Sequence, residues 1–336
     1  MATNAFGIDL GTNNIKIYSR SDDQILVEKN MIAIENKNTL FAYGDSAFEM
    51  YEKAPGNIHI SYPLSNGVIA DIKNMETLVR YFVYDLQRGN SKPADFYIAV
   101  PTDVTEVEKR AFYDLIRDAG VKAKKIMVVE KAVADGLGLD IDVKNSQGVL
   151  VVNVGYETTE ISILSLGGIV LSRLIKTGGL KFDEAIRAAV RKEYSLIIGG
   201  KTAETVKMSL STLEQEGKGA VVYGRDIVTG LPVEREIPTK LVAECLEEHF
   251  NTIVDNVKVI LERTPPELAA DIYRHGVYLT GGASQVSHLS ERLGVGTGLK
   301  INLTEEPMTS VVMGLSKIIR EDNYKSVAYV IEGMSR

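Results

Sequence analysis

Ala5-Phe6-Gly7-Ile8-Asp9-Leu10-Gly11-Thr12-Asn13-Asn14-Ile15-Lys16-Ile17-Tyr18 is the stretch on which the reading of this chain turns. An apolar run ends in a Gly/Thr/Asn cluster and gives way to alternation. It therefore predicts a strand, a polar turn and a half-buried return strand. The unit comes back at Gly148-Val149-Leu150-Val151-Val152-Asn153-Val154, with Gly155-Tyr156-Glu157-Thr158-Thr159 as the turn. Residues 160–164 form the return strand and 169–176 a third strand. Roughly 144 residues separate Asp9 from Asn153, the length of a domain, so the pattern is an internal duplication and not a solenoid.

Helical patterns lie between the hairpins. Asp103, with Glu106 three residues on, reads as a capping box for a helix over 104–119, which Gly120 stops. Residues 182–194, 203–213 and 239–263 are also periodic, the last ended by Pro265-Pro266. Strands alternating with helices predict an α/β protein. Two Gly-, Pro- and charge-rich stretches, about 33–70 and 180–240, read as one insertion in each half.

Composition sets the outer limits. The 336 residues are 45% hydrophobic and 25% charged, values of an ordinary globular protein that exclude disorder and fibrous repeats. Cys245 is the single cysteine, which rules out an internal disulfide and fits a reducing compartment. A net charge of −7 argues against nucleic acid as a partner. No apolar run approaches the ~20 residues of a membrane span. The start before Asp9 is too short for a signal peptide. The expectation is a cytoplasmic protein.

Three Gly/Thr turns could carry chemistry. Asp9-Leu10-Gly11-Thr12-Asn13-Asn14 puts a carboxylate at a strand end, able to hold hydrated Mg²⁺, before a turn whose N–H groups could cradle phosphate. It reads equally as a hairpin with Asp and Asn as turn formers. Gly155 to Thr159 is the counterpart, though Tyr156 and Glu157 are bulky and acidic for a cradle, and alone it reads as a plain hairpin. Thr280-Gly281-Gly282-Ala283-Ser284 would let a flat ring or phosphate approach the backbone, or simply turns a strand into a helix. Gly200-Lys201-Thr202 imitates the end of a P-loop. The required earlier glycine is Ser195 and the preceding segment is helical, so Thr202 reads as an N-cap. His59, His249, His275 and His288 lack metal-ligand spacing, and Lys122, Lys124 and Lys125 read as a solvated face.

Taken together, the turns, the duplication and the paired insertions resemble the actin/Hsp70/sugar-kinase superfamily, and more closely the MreB family of bacterial actin-like rod-shape proteins. The resemblance runs nearly end to end. Its most specific stretches are Gly224-Arg225-Asp226-Ile227-Val228-Thr229-Gly230-Leu231-Pro232 and Thr264-Pro265-Pro266-Glu267-Leu268-Ala269-Ala270-Asp271-Ile272. Asn66-Gly67-Val68-Ile69-Ala70-Asp71 and Gly178-Gly179-Leu180-Lys181-Phe182-Asp183-Glu184-Ala185-Ile186 add to it.

The resemblance implies an actin-like fold: two duplicated α/β domains, each a mixed sheet flanked by helices with a smaller subdomain inserted, and an ATP or ADP cleft between them. Domain I would take 1–144 and 313–336, and domain II 145–312. By the match, Gly11, Thr12 and Asn13 resemble the first phosphate loop, and Asp9 the carboxylate near Mg²⁺. Gly155, Tyr156, Glu157, Thr158 and Thr159 resemble the second phosphate loop. Gly281 and Gly282 resemble the adenosine-side loop, Gly178, Gly179 and Ala283 are further expected cofactor-binding residues, and Glu204 and Lys207 resemble the pair that grips ribose and adenine. Without the family, that i,i+3 pair would read as a surface salt bridge.

Two departures bear on activity. The family's second loop begins with a metal-site Asp, and here the residue is Asn153. Its water-orienting catalytic Glu is here Lys131, and the following Pro is Ala132. A lysine ammonium has no acceptor lone pair with which to orient water. The expectation is a filament protein that holds nucleotide with weak or absent hydrolysis. The alternative is a competent ATPase with Glu157, Glu130 or Asp135 as substitute carboxylate. A sugar kinase is disfavoured by Lys131 and Asn153 and by the want of a separate acidic base for a sugar hydroxyl, and a chaperone would need a peptide-binding domain after Arg336. The resemblance also implies self-assembly into filaments at the inner face of the membrane. The polar loop Arg88-Gly89-Asn90-Ser91-Lys92 argues against direct insertion, leaving attachment through a membrane-associated or cytoskeletal partner, or through the mildly amphipathic tail 324–331.

Overall fold

The computed structural model describes residues 4–331, so residues 1–3 and 332–336 of the expected domain I lie outside the described residues. Two five-stranded mixed sheets carry the fold. The first runs in the order Ala123–Glu130, Ala94–Val100, Ala5–Leu10, Asn14–Ser19, Gln24–Lys29. The second runs Ile301–Leu303, Val277–Thr280, Val149–Val154, Thr159–Ser165, Gly168–Ile175. In both, the hairpin and third strand pair antiparallel and the two remaining strands add in parallel. The duplication seen in the hairpins therefore extends to whole sheets.

Ala5–Leu10 and Val149–Val154 are buried along their full length. Each is a central strand covered on both faces, and their near-continuous apolar sequence follows from that. The alternation in Ile15-Lys16-Ile17-Tyr18 predicts a half-buried strand, but all four are buried. Lys16 is inside because it faces the cleft between the lobes, and Tyr18 because it packs in a cluster with Val312 and Ile319. Each lobe has its own aromatic core, Phe6, Phe82, Phe96 and Phe112 in one and Phe182 and Phe250 in the other. The two insertion-like stretches hold small three-stranded antiparallel sheets, one built from Ile32–Glu35, Thr39–Tyr43 and Ile58–Ser61, the other from Leu196–Ile197, Ala220–Asp226 and Pro232–Ile237.

Several helix starts differ from the sequence reading. Asp103 is not a cap: its carboxylate accepts from the Leu174 N–H at 3.2 Å, and the helix Glu106–Asp118 is capped by Thr105. Thr105 and Glu108 form the capping box, two residues later than the pair predicted. Thr202 is not a cap either, because Gly199 is the N-cap of the helix Gly200–Glu216. The segment before it is the two-residue strand Leu196–Ile197 rather than helix. Pro265-Pro266 follows the helix Thr239–Glu262, and Pro266 also opens the next one, Pro266–His275, where its missing N–H costs nothing.

Lys131–Gly138, which touches strands of both sheets, crosses Ser310–Arg320, which packs on the first sheet. A Cβ on Gly138 would fall 1.8 Å from the Ser310 carbonyl oxygen, and one on Gly314 would fall 1.7 Å from that of Ala134. The two backbones touch, which only glycine permits here. The tail packs back on the first sheet: the Val128 N–H donates to the Tyr329 carbonyl at 2.7 Å, and the Tyr329 N–H returns the bond at 3.0 Å.

Candidate functional site

The two hairpin turns face one cavity of about 590 Å³. The glycines fix the turns. The Gly11 N–H donates to the Asn14 carbonyl at 3.0 Å, and the Gly155 N–H donates to the Thr158 carbonyl at 2.8 Å, the same closure in each lobe. A Cβ on Gly11 would meet that Asn14 oxygen at 2.8 Å. Gly281 has φ +85° and would place a Cβ 2.3 Å from the Val154 carbonyl, so the third turn also needs its glycine.

Most of the residues singled out from sequence line this cavity. They are Asp9, Gly11, Thr12, Asn13 and Lys131 from one lobe, and Asn153, Gly155, Tyr156, Glu157 and Thr158 from the other, with Gly179, Glu204, Lys207, Gly281, Gly282 and Ala283 around them. Two stand behind it. Thr159 is buried and donates to the Thr177 carbonyl at 2.7 Å, and Gly178 caps the helix Gly179–Tyr194 against the Gly155 carbonyl. Lys201 is not among the cavity residues; its ammonium bonds to the Phe48 carbonyl and lies 4.2 Å from that ring's centre.

The charges are arranged in pairs. Lys16 donates to Asp9 Oδ2 at 2.9 Å, while Asp9 Oδ1 is buried without a hydrogen-bond partner. Burial would push the Asp9 carboxyl up, but Lys16 and Lys131 together hold it below the usual range. Lys131 meets Glu160 Oε1 at 3.1 Å. The other Glu160 oxygen accepts from the Thr102 N–H and hydroxyl, each at 3.1 Å. Burial disfavours the Lys131 ammonium, yet Glu160, Asp9 and Asp135 outweigh it, so its proton is held more tightly than in water.

Glu204 and Lys207 do not pair with each other, as the surface reading had it. Lys207 is buried, 2.7 Å from Asp183 and 3.2 Å from the Gly179 carbonyl, and Glu204 lies 3.9 Å from Lys29. Lys29 also donates to Asn13 Oδ1 at 3.3 Å. Burial raises the Asp183 carboxyl to about 6 despite its lysine.

Each of the three proposed substitute carboxylates is engaged through one oxygen, and Glu130 Oε2 and Asp135 Oδ1 are buried without a hydrogen-bond partner. Glu157 accepts from the Asn66 N–H of the facing lobe. Glu130 holds Lys109 at 2.9 Å and the Tyr329 hydroxyl at 2.8 Å. Asp135 is fully buried, accepting from Asn153 Nδ2 at 2.6 Å and the Thr280 hydroxyl at 2.7 Å, and burial raises its pKa. Sequence reasoning missed Lys16, Lys29, Glu160 and Asp183. Lys16 carried a signal, a lysine within an otherwise buried strand directly after the turn. The others depend on contacts between segments far apart in the chain.

Among the described residues no helix is long and apolar enough to cross a membrane. Residues 3–327 match the MreB/Mbl protein family. The cell shape-determining protein Mbl of Bacillus subtilis is 35% identical over 312 residues, covering 92% of this chain and 93% of that protein. The cell shape-determining protein MreB of Escherichia coli is 34% identical over 328 residues, 95% of this chain and 94% of its own. Crystal structures of MreB5 of Spiroplasma citri, bound to ADP and to AMPPNP, superpose with a TM-score of 0.88 at 33% identity, covering 97% of this chain and 98% of theirs. With one fold, one cleft and a match across nearly all of its length, the chain belongs to the MreB/Mbl family of actin-like proteins.

Proposed function

We propose that this chain binds ATP or ADP in the cleft, assembles with copies of itself into a cytoskeletal filament, and hydrolyses nucleotide slowly or not at all. Nucleotide binding is supported by the paired glycine turns around one cavity and by the ADP and AMPPNP held by the MreB5 relative. A role in cell shape or a related cytoskeletal task follows the names of the Mbl and MreB relatives. Placement at the inner face of the membrane, through a partner, follows the family alone.

The observation that carries the hydrolytic reading is Lys131 in the cavity wall, ion-paired to Glu160. Hydrolysis needs an acceptor that aligns water with the γ-phosphate. Lys131 is a charged donor, and Glu157, Glu130 and Asp135 already hold other partners. The arrangement suits holding a polyphosphate more than cutting it.

Phosphate release by the wild type and by Lys131→Glu, beside pelleting with ATP and with AMPPNP, tests the reading. Slow wild-type release with assembly under both nucleotides is the expected result. Wild-type turnover as fast as that of Lys131→Glu would overturn the weak-hydrolysis reading, and no pelleting under any nucleotide would overturn the filament reading.

A further inference from the structure

We propose that Asp135 is a positioning residue for the cleft: it holds the Asn153 side-chain amide the one way round that leaves its carbonyl oxygen to face a divalent cation carried in on the nucleotide's phosphates. The proposal rests on the nucleotide reading above and deepens it.

Mg²⁺ on a nucleotide takes one or two protein carboxylates together with phosphates and several waters. Among the described residues no group of three or more His, Cys, Asp or Glu could hold a metal by itself. Asp9 fits the lesser demand, because its Oδ1 is buried without a hydrogen-bond partner on a residue of the cavity wall. Asn153 stands on the same wall, at the second position where the resemblance puts a metal-site Asp.

An amide is not a carboxylate. A carboxylate presents an acceptor whichever oxygen points outward, whereas an amide presents an acceptor one way round and a donor the other. A donor turned outward repels a cation. Asn153 can therefore stand in for Asp only if its flip is fixed, and Asp135 fixes it. That residue is fully buried in the helix Lys131–Gly138, and its Oδ2 accepts from Asn153 Nδ2 at 2.6 Å. The same oxygen accepts from the Thr280 hydroxyl at 2.7 Å, which anchors it from the second sheet. With Nδ2 turned inward, Oδ1 is the atom of the amide left for the cavity. A Cβ on Gly281 would stand 2.7 Å from that oxygen, so the glycine keeps its flank open. Burial raises the Asp135 pKa, but a proton would not reverse the arrangement. Asp135 Oδ1 has no hydrogen-bond partner and can carry the proton, leaving Oδ2 an acceptor.

The test compares the Kd of a fluorescent ATP analogue for the full chain in excess Mg²⁺ and in excess EDTA. Wild type is expected to bind more tightly in Mg²⁺. Asp135→Ala, with folding checked by circular dichroism, frees the amide to flip. It is expected to weaken binding about tenfold in Mg²⁺, the scale of losing a partner that orients a metal ligand, and to leave the Kd in EDTA unchanged. Asp135→Ala combined with Asn153→Asp is expected to restore binding in Mg²⁺, because a carboxylate needs no orienting. Wild-type binding that ignores Mg²⁺, an Asp135→Ala variant that matches wild type or loses equally in both buffers, or no rescue by the double variant would each overturn the proposal and leave the nucleotide reading standing. Absence of wild-type binding in both buffers would overturn both. If Asp135→Ala does not fold, Asn153→Ala takes its place with the same expectation, and wild-type affinity in Mg²⁺ there would overturn the proposal.

Discussion

Lys131 and Glu160 face each other at 3.1 Å across the boundary between the lobes, with side chains 17% and 5% exposed. The lysine opens a helix of one lobe and the glutamate sits on the return strand of the other lobe's hairpin. The pair is a tie between the halves.

Cutting one end of that tie leaves a buried charge alone. Lys131→Ala is expected to lower stability by about 3 kcal/mol, within the range for breaking a buried ion pair. Adding Glu160→Gln should recover much of the loss, since the amide oxygen still accepts from Thr102. Denaturant unfolding of both variants checks this, and equal losses would count against the pair.

Gly314→Ala separates packing from helix propensity. Alanine favours a helix by about 0.5–1 kcal/mol over glycine. At Gly314 the added carbon falls 1.7 Å from the Ala134 carbonyl oxygen. The expected net effect is a destabilisation of about 3 kcal/mol or more, or failure to fold. Gly56→Ala is the control, because a Cβ there meets nothing within 4 Å, and its melting temperature should stay close to wild type.

Asp183 gives the cleft a pH signature. Burial raises its carboxyl from 3.8 to about 6 in the folded protein. The folded state thus holds the proton more tightly than the unfolded chain does. The stability this contributes is full below pH 3.8 and is lost as pH rises through about 6. Asp9 has the opposite sign: its lowered carboxyl contributes stability above 3.8 that disappears on acidification below it. Thermal melts of nucleotide-free protein between pH 4 and 7 should therefore show a component, about 2 kcal/mol, that Asp183→Asn removes.

Legibility followed the reach of the physical signal. Strand runs and glycine turns are local, so the hairpins at Asp9 and Asn153 could be read from sequence and their repetition pointed to two similar sheets. Caps were misplaced because Asp103 and Thr202 have capping chemistry, yet Asp103 is drawn to a strand of the other lobe and the helix at Gly200 begins before Thr202. The cavity residues stood out through resemblance, whereas their partners did not. Nothing near Lys207 in sequence announces Asp183, and nothing near Lys131 announces Glu160. Such pairings arise only when distant segments are folded together.

Gly138 against Ser310 and Gly314 against Ala134 limit how the two crossed helices can move. With carbonyl oxygens pressed against glycine α-carbons, the helices have no play along their lengths. Sliding by one residue's rise, about 1.5 Å, would drive a neighbour's side chain into the opposing backbone. Turning about the crossing needs no such passage. The crossing works as a rivet does: the two helices can pivot on it but cannot shear past each other.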